Sequence, residues 1–245
     1  MKLLLASGGL STVERRDAFV GELRGILDGA AGFLFVPYAV ADHDAYSALI
    51  ESRGLTAGLR VQSIHRSRDP VKAVRAAEAI LVGGGNTFRL LADLYRRRLL
   101  GPIRRRVSQG MPYIGISAGT NVACPTIKTT NDMPITWPPR LDALGLVPFQ
   151  INPHFISGRI YTEGGDGFVP YAGETREDRL REFHEMNALP VLGLREGAVL
   201  RVDGRSAWIG GCAGATLFRR RQDPVSLQPG DRLPTGVTPP KRRRS

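Results

Sequence analysis

Short apolar runs bounded by glycine, proline or polar residues recur along the chain. Lys2 to Ala6, Gly32 to Val36, Leu59 to Ile64, Ala79 to Val82, Tyr113 to Ile116 and Val191 to Leu194 have the length and continuity of buried strands. Between them the period lengthens. Val13 to Leu27 places Phe19, Leu23, Ile26 and Leu27 at helical spacing, and Thr87 to Arg97 does the same with Phe88, Leu91 and Leu94. Between Gly173 and Asn187, Thr175 can cap a helix with Asp178 three residues on, and Leu180, Phe183 and Met186 form its expected buried stripe. Strands alternating with helices predict an α/β fold with a doubly wound, mostly parallel sheet and helices on both faces. In such sheets, sites collect at the carboxyl ends of strands.

No fixed-period repeat is visible, and no Ser/Gly linker interrupts the chain before its final dozen residues. One domain over residues 1–233 is therefore expected, followed by a basic, disordered tail over 234–245. Glycine and proline make up less than a fifth of the 245 residues and 42% are hydrophobic, which excludes collagenous and disordered classes. The longest mostly apolar stretch, Ala30 to Val40, is interrupted by Gly32 and Pro37 and falls well short of the roughly 20 residues of a membrane helix. The opening run Leu3-Leu4-Leu5-Ala6 is too short for a secretory signal. A cytoplasmic protein with no membrane partner is expected.

Two cysteines, Cys124 and Cys212, supply neither a disulfide framework nor a metal-ligand pattern, and both read as small buried hydrophobes. The net charge of +11 raises the question of nucleic acid. Its distribution argues against a specific site. Four of those charges lie in Lys241 to Arg244, and the groups Arg96 to Arg98, Arg104 to Arg106 and Arg219 to Arg221 have no interleaved aromatic platform.

Candidate chemistry starts at Gly115-Ile116-Ser117-Ala118-Gly119, which continues directly out of an expected strand. A G-x-S-x-G sequence in that context is a nucleophile elbow, with small residues allowing the close approach of chain segments. Ser117 would project from the sheet end, with the Ala118 N–H aimed at a developing oxyanion. An ordinary glycine-rich turn is the alternative. Gly83-Gly84-Gly85-Asn86 also sits at a strand end, and Gly84 or Gly85 could supply the second oxyanion donor. A phosphate loop is the competing reading of this run, but it lacks the required glycine and lysine spacing.

A serine nucleophile needs a base, and there are four histidines. His184 lies among charged residues on the exposed side of its helix. His43 sits beside Asp42 and Asp44 in a polar loop that would keep it solvated and charged. His65 ends a strand without an acid close in sequence. His154, stiffened by Pro153, is the best base. Two acids compete to orient it. Asp132 falls between Ser117 and His154 in the chain, and Glu196 ends the apolar run Val191 to Leu194.

The segments GGGNTF (83–88), YIGISAG (113–119), NVACPTIKTTNDMPI (121–135), LDALGLVPFQINPHF (141–155), GETR (173–176) and VLGLREG (191–197) together resemble the peptidase E family of serine peptidases, which also contains cyanophycinase. The resemblance covers most of residues 1 to 200. It implies a doubly wound, flavodoxin-like α/β fold related to class I glutamine amidotransferases, and hydrolysis of dipeptides with an amino-terminal aspartate. It implies Ser117 as nucleophile, His154 as base and Asp132 as charge-relay acid, with Glu196 the rival third member, and no metal or organic cofactor. The expected partners are small Asp-Xaa peptides, acting on a monomer or homodimer. Asn86 and Arg176 are candidate substrate-binding residues, since a guanidinium can pair a carboxylate through two parallel hydrogen bonds. Ile116 and Thr120 depart from the residue types usual in the family, and Ser157 to Ala172 forms a glycine-rich connection after the base. Alternatives are a cyanophycinase-like or isoaspartyl peptidase and, in another class, a non-catalytic basic binding module.

Overall fold

The computed structural model describes residues 1–8, 10–27, 29–158, 161–164 and 167–234. The expected tail therefore lies, Pro234 aside, outside the described residues. In chain order the elements are β1 (Lys2–Ala6), α1 (Val13–Ile26), β2 (Gly32–Val36), α2 (His43–Ser52), β3 (Arg60–Ser63), α3 (Pro70–Ala76), β4 (Ile80–Val82), α4 (Thr87–Arg96), α5 (Leu100–Ser108), β5 (Tyr113–Ile116) and α6 (Ala118–Ala123). After a long connection come β6 (Gln150–Asn152), β7 (Tyr161–Gly164), β8 (Gly167–Pro170), α7 (Arg176–Met186), β9 (Val191–Leu194), β10 (Ala198–Asp203), β11 (Ser206–Gly211), β12 (Ala215–Phe218) and β13 (Val225–Leu227).

A seven-stranded sheet has the order β11-β10-β1-β5-β4-β2-β3. Its five strands from β1 to β3 are parallel, and β10 and β11 extend it antiparallel. The chain moves outward through β2 to β3 with α1 and α2 on one face, then returns through β4 to β5 with α3 to α5 on the other. Alternate residues of each buried strand serve the two faces, as the two-residue period of a strand requires. Leu4 and Ala6 pack with Phe19, Leu23 and Ile26 of α1, whereas Leu3 and Leu5 belong with Leu90, Leu94 and Ile103 of α4 and α5. This is the doubly wound arrangement the pattern predicts.

A second sheet, β13-β12-β9-β6, was not legible as such. Only β6 and β9 in it are parallel, and Ile151, Leu192 and Leu217 share the hydrophobic cluster of the larger sheet. The helix caps match expectation more closely. Thr175 and Asp178 form the capping box of α7, but of the expected stripe only Leu180 is fully buried, Phe183 packs partly, and Met186 is 87% exposed. The α7 helix covers only a small satellite cluster, and its last turn runs past it. Cys124 is buried as expected, and Cys212 is exposed, because it lies in the turn after β11 instead of within a strand. Among the described residues no helix is long and apolar enough to cross a membrane.

Candidate active site

Ser117 follows the central strand β5 and holds φ 53°, ψ −106°, a conformation that costs a non-glycine residue about 1–3 kcal/mol. Sterics enforce the turn. A Cβ at Gly115 would lie 2.6 Å from the Gly119 carbonyl oxygen, and one at Gly119 would lie 2.1 Å from that of Val82. The unusual Thr120 is accommodated because its buried hydroxyl donates to the carbonyls of Ala6 (2.7 Å) and Gly115 (2.9 Å).

His154 and Glu196 come from the second sheet. They follow the paired parallel strands β6 and β9, whose register sets Asn152 opposite Gly193, so both side chains arise at the same sheet end. Ser117 Oγ lies 2.7 Å from His154 Nε2, and His154 Nδ1 is hydrogen bonded to Glu196 Oε1. That bond holds the Glu196 carboxyl below its ordinary range against the opposing effect of partial burial, and the charges of His154 and Arg15 add to the depression. Glu196 Oε2 is buried and accepts no hydrogen bond. With a carboxylate on Nδ1–H, the imidazole presents the Nε2 lone pair to the hydroxyl, the arrangement a serine nucleophile needs.

Asp132, expected as the relay acid, stands elsewhere. Its Oδ2 accepts from Thr87 N (2.7 Å), Thr87 Oγ1 (2.5 Å) and Thr130 Oγ1 (3.1 Å), at the start of α4. The hydrogen-bonded line runs Ser117, His154, Glu196, because the acid that reaches the imidazole is the one following the neighbouring parallel strand. Asn86 is likewise committed. It caps α4 by accepting from Arg89 N (3.0 Å) and donates to the Met133 carbonyl (2.8 Å), so its amide orders two loops. The Gly84 N–H donates to Tyr46 Oη at 2.8 Å. Ala118 opens α6, where the first backbone N–H has no helical partner.

The remaining histidines are held in place elsewhere. His65 does have an acid, contributed by another element, since Asp44 Oδ1 lies 3.1 Å from its Nε2. His43 is half-buried at the start of α2, and burial together with the neighbouring His65 favours its neutral form, opposite to the charged state expected of a solvated loop. His184 contacts the Leu189 carbonyl at the end of α7. Among the described residues no group of three or more His, Cys, Asp or Glu side chains could hold a metal ion.

Ser7 was missed. Fully buried at the end of β1, its hydroxyl donates to the Leu194 carbonyl (2.9 Å) and accepts from His154 N (2.8 Å), tying both sheets to a histidine whose φ is 56°. Its position one residue past a buried strand was the available signal. Gly8 beside it has no room for a side chain, since a Cβ would lie 2.5 Å from His154 Cε1. We expect Ser7→Ala to leave the His154 N–H unsatisfied and to cost about 1–3 kcal/mol, read as a lower urea midpoint with an unchanged m-value.

Fold and site together are those expected of a serine peptidase on an α/β scaffold. The chain belongs to peptidase family S51, which it matches over residues 3–210. It is 48% identical over 240 residues to peptidase E of Streptomyces coelicolor, covering 95% of this chain and 93% of that one. It is 46% identical over 230 residues to a probable alpha-aspartyl dipeptidase of Drosophila melanogaster, covering 93% of each. Among solved structures, a peptidase from an acI-B1 actinobacterium superposes with a TM-score of 0.67 at 16% identity, covering 95% of this chain and 96% of that one. A putative peptidase E from Listeria monocytogenes gives 0.61 at 22% identity, covering 86% and 98% respectively.

Proposed function

We propose that this chain is a dipeptidase that removes amino-terminal aspartate from Asp-Xaa, with Ser117 as nucleophile, His154 as general base and Glu196 as the orienting acid. The hydrogen-bonded line from Ser117 through His154 to Glu196 at a strained turn carries the reading. Ser117 Oγ attacks the scissile carbonyl carbon as His154 Nε2 takes its proton. The Ala118 and Gly85 N–H groups receive the oxyanion, Gly84 N–H being engaged with Tyr46. His154 then gives its proton to the leaving amine as the C–N bond breaks. Water, deprotonated by His154, attacks the acyl carbon, and as the bond to Ser117 Oγ breaks His154 returns the proton to that oxygen, releasing aspartate. This chemistry calls for neither metal nor organic cofactor.

Aspartate preference is supported by the name of the fly relative and by Arg176. Arg176 lines a cleft with Ile156, Tyr171 and Thr175, and Ile156 is two residues from His154. Burial and the like charge of Arg179 disfavour its cation against the opposing charge of Glu174 in the same cleft, and an incoming carboxylate would offset more of that cost. The unpaired thiols Cys124 and Cys212 fit a reducing compartment such as the cytoplasm. The acting species is proposed to be a monomer or homodimer, in one domain, independent of nucleic acid.

The test is amino-acid release from Asp-Leu, its β-aspartyl isomer, Asn-Leu and Ala-Leu. Release from Asp-Leu at least about 100-fold faster than from Asn-Leu is expected, on the scale of losing a charge-assisted pair. Preference for the β-linked isomer would make the enzyme an isoaspartyl peptidase.

A further inference from the structure

The segment with the most distinctive sequence, within residues 121–135, contains neither the nucleophile nor the base. Its placement gives it a different task. Thr129 Oγ1 donates to the Ile151 carbonyl (2.8 Å), Asn152 Nδ2 donates to the Thr129 carbonyl (2.9 Å) and to Asn131 Oδ1 (2.8 Å), and Asn131 Nδ2 donates to the Pro153 carbonyl (2.7 Å). These bonds grip β6 and the peptide unit immediately before His154. The next two residues face the other way, where Asp132 Oδ2 takes both donors of the fully buried Thr87 and the Met133 carbonyl takes the Asn86 amide. Those bonds fix the residues that follow the glycine loop, which itself touches the nucleophile, since a Cβ at Gly84 would lie 3.2 Å from Ser117 Cβ.

We propose that Thr129 to Met133 is a clamp in which Asn131 is a positioning residue for His154 and Asp132 a positioning residue for the oxyanion loop. The inference rests on Ser117 and His154 being nucleophile and base. A one-residue step in the clamp changes which half of the machinery is held, since Asn131 bonds to Asn152 and Pro153 while Asp132 bonds to Thr87. His154 needs the support. Its φ of 56° is set from outside by Ser7 on its own N–H and by Asn131 on the carbonyl that precedes it. Displacement of a catalytic group by about 1 Å costs on the order of 100-fold in rate.

The experiment measures the rate at which a fluorophosphonate labels Ser117, alongside Asp-Leu turnover, in Asn131→Ala, Asn131→Asp and Asp132→Asn. Each is made in the wild-type and the His154→Ala background, with folding checked by thermal unfolding. Both Asn131 variants lose the donor to Pro153, and Asn131→Asp keeps the acceptor for Asn152. We expect Asn131 variants to slow labelling by about 10- to 100-fold, with KM within about twofold and kcat carrying the loss. That loss should disappear in the His154→Ala background, whereas the cost of Asp132→Asn should persist there. For Asn131, a purely structural role would slow labelling equally in both backgrounds, and for Asp132 it would lower the thermal midpoint without slowing labelling of the folded protein. Folded Asn131 variants that label at the wild-type rate, a loss that survives removal of His154, or failure of both Asn131 variants to fold would each overturn the clamp. Wild-type protein that labels but releases no aspartate would sink the substrate assignment while leaving the clamp test intact. Wild-type protein that does not label would remove the nucleophile assignment and the clamp with it.

Discussion

Ser117→Ala is expected to abolish Asp-Leu hydrolysis, lowering kcat by about 10⁵- to 10⁶-fold, because among the described residues no other hydroxyl is hydrogen bonded to the imidazole and the triad acts as a unit. Alanine keeps the Cβ and hence the strained turn, so its thermal midpoint should stay close to wild type. Ser117→Gly should be equally inactive but more stable by about 1 kcal/mol, since glycine adopts a positive φ without steric cost. A variant pair that is dead in both forms, with glycine the more stable, would identify the strain as belonging to function. Residual activity in Ser117→Ala within tenfold of wild type would reject the nucleophile.

Glu196→Gln is the second large effect. The amide keeps the shape but offers Nδ1 no anion, so it neither fixes the productive tautomer nor stabilises the imidazolium. A fall in kcat of about 10³- to 10⁴-fold with little change in KM is expected. Asp132→Asn should cost far less, because its carboxylate holds Thr87 and never reaches the imidazole. Equal losses in the two variants would restore the rivalry between the acids. The substitution should also alter acid stability. The hydrogen bond from His154 depresses the Glu196 carboxyl in the folded protein, so its contribution to stability is present above the ordinary glutamate range and is lost as pH falls through the depressed value. Denaturant midpoints measured across that window should drop more steeply for wild type than for Glu196→Gln.

Several parts of this site were readable one residue at a time. The turn around Ser117 follows from small residues after an apolar run, and Gly115 and Gly119 are required by contacts that any side chain would violate. His154 could be chosen because the other three histidines sit in settings easily explained without catalysis. The acid could not be chosen. Asp132 and Glu196 are both plausible in sequence, and the choice depends on β6 and β9 being parallel neighbours. Ser7, Tyr46 and Asn131 escaped notice for a related reason, as each acts through hydrogen bonds to backbone atoms distant in the chain.

The chain's own letters determined the alternation of strands and helices, the face-sharing of the central sheet and the bend that presents Ser117, because these depend on local periodicity, on side-chain volume and on backbone freedom within a few residues. Tertiary structure alone decided that a second sheet delivers the imidazole and its carboxylate together, that Asp132 serves the glycine loop, and that Gly84 gives its N–H to Tyr46. Those outcomes depend on which strand ends lie side by side, and pairing between segments far apart in sequence leaves no periodic mark on either of them.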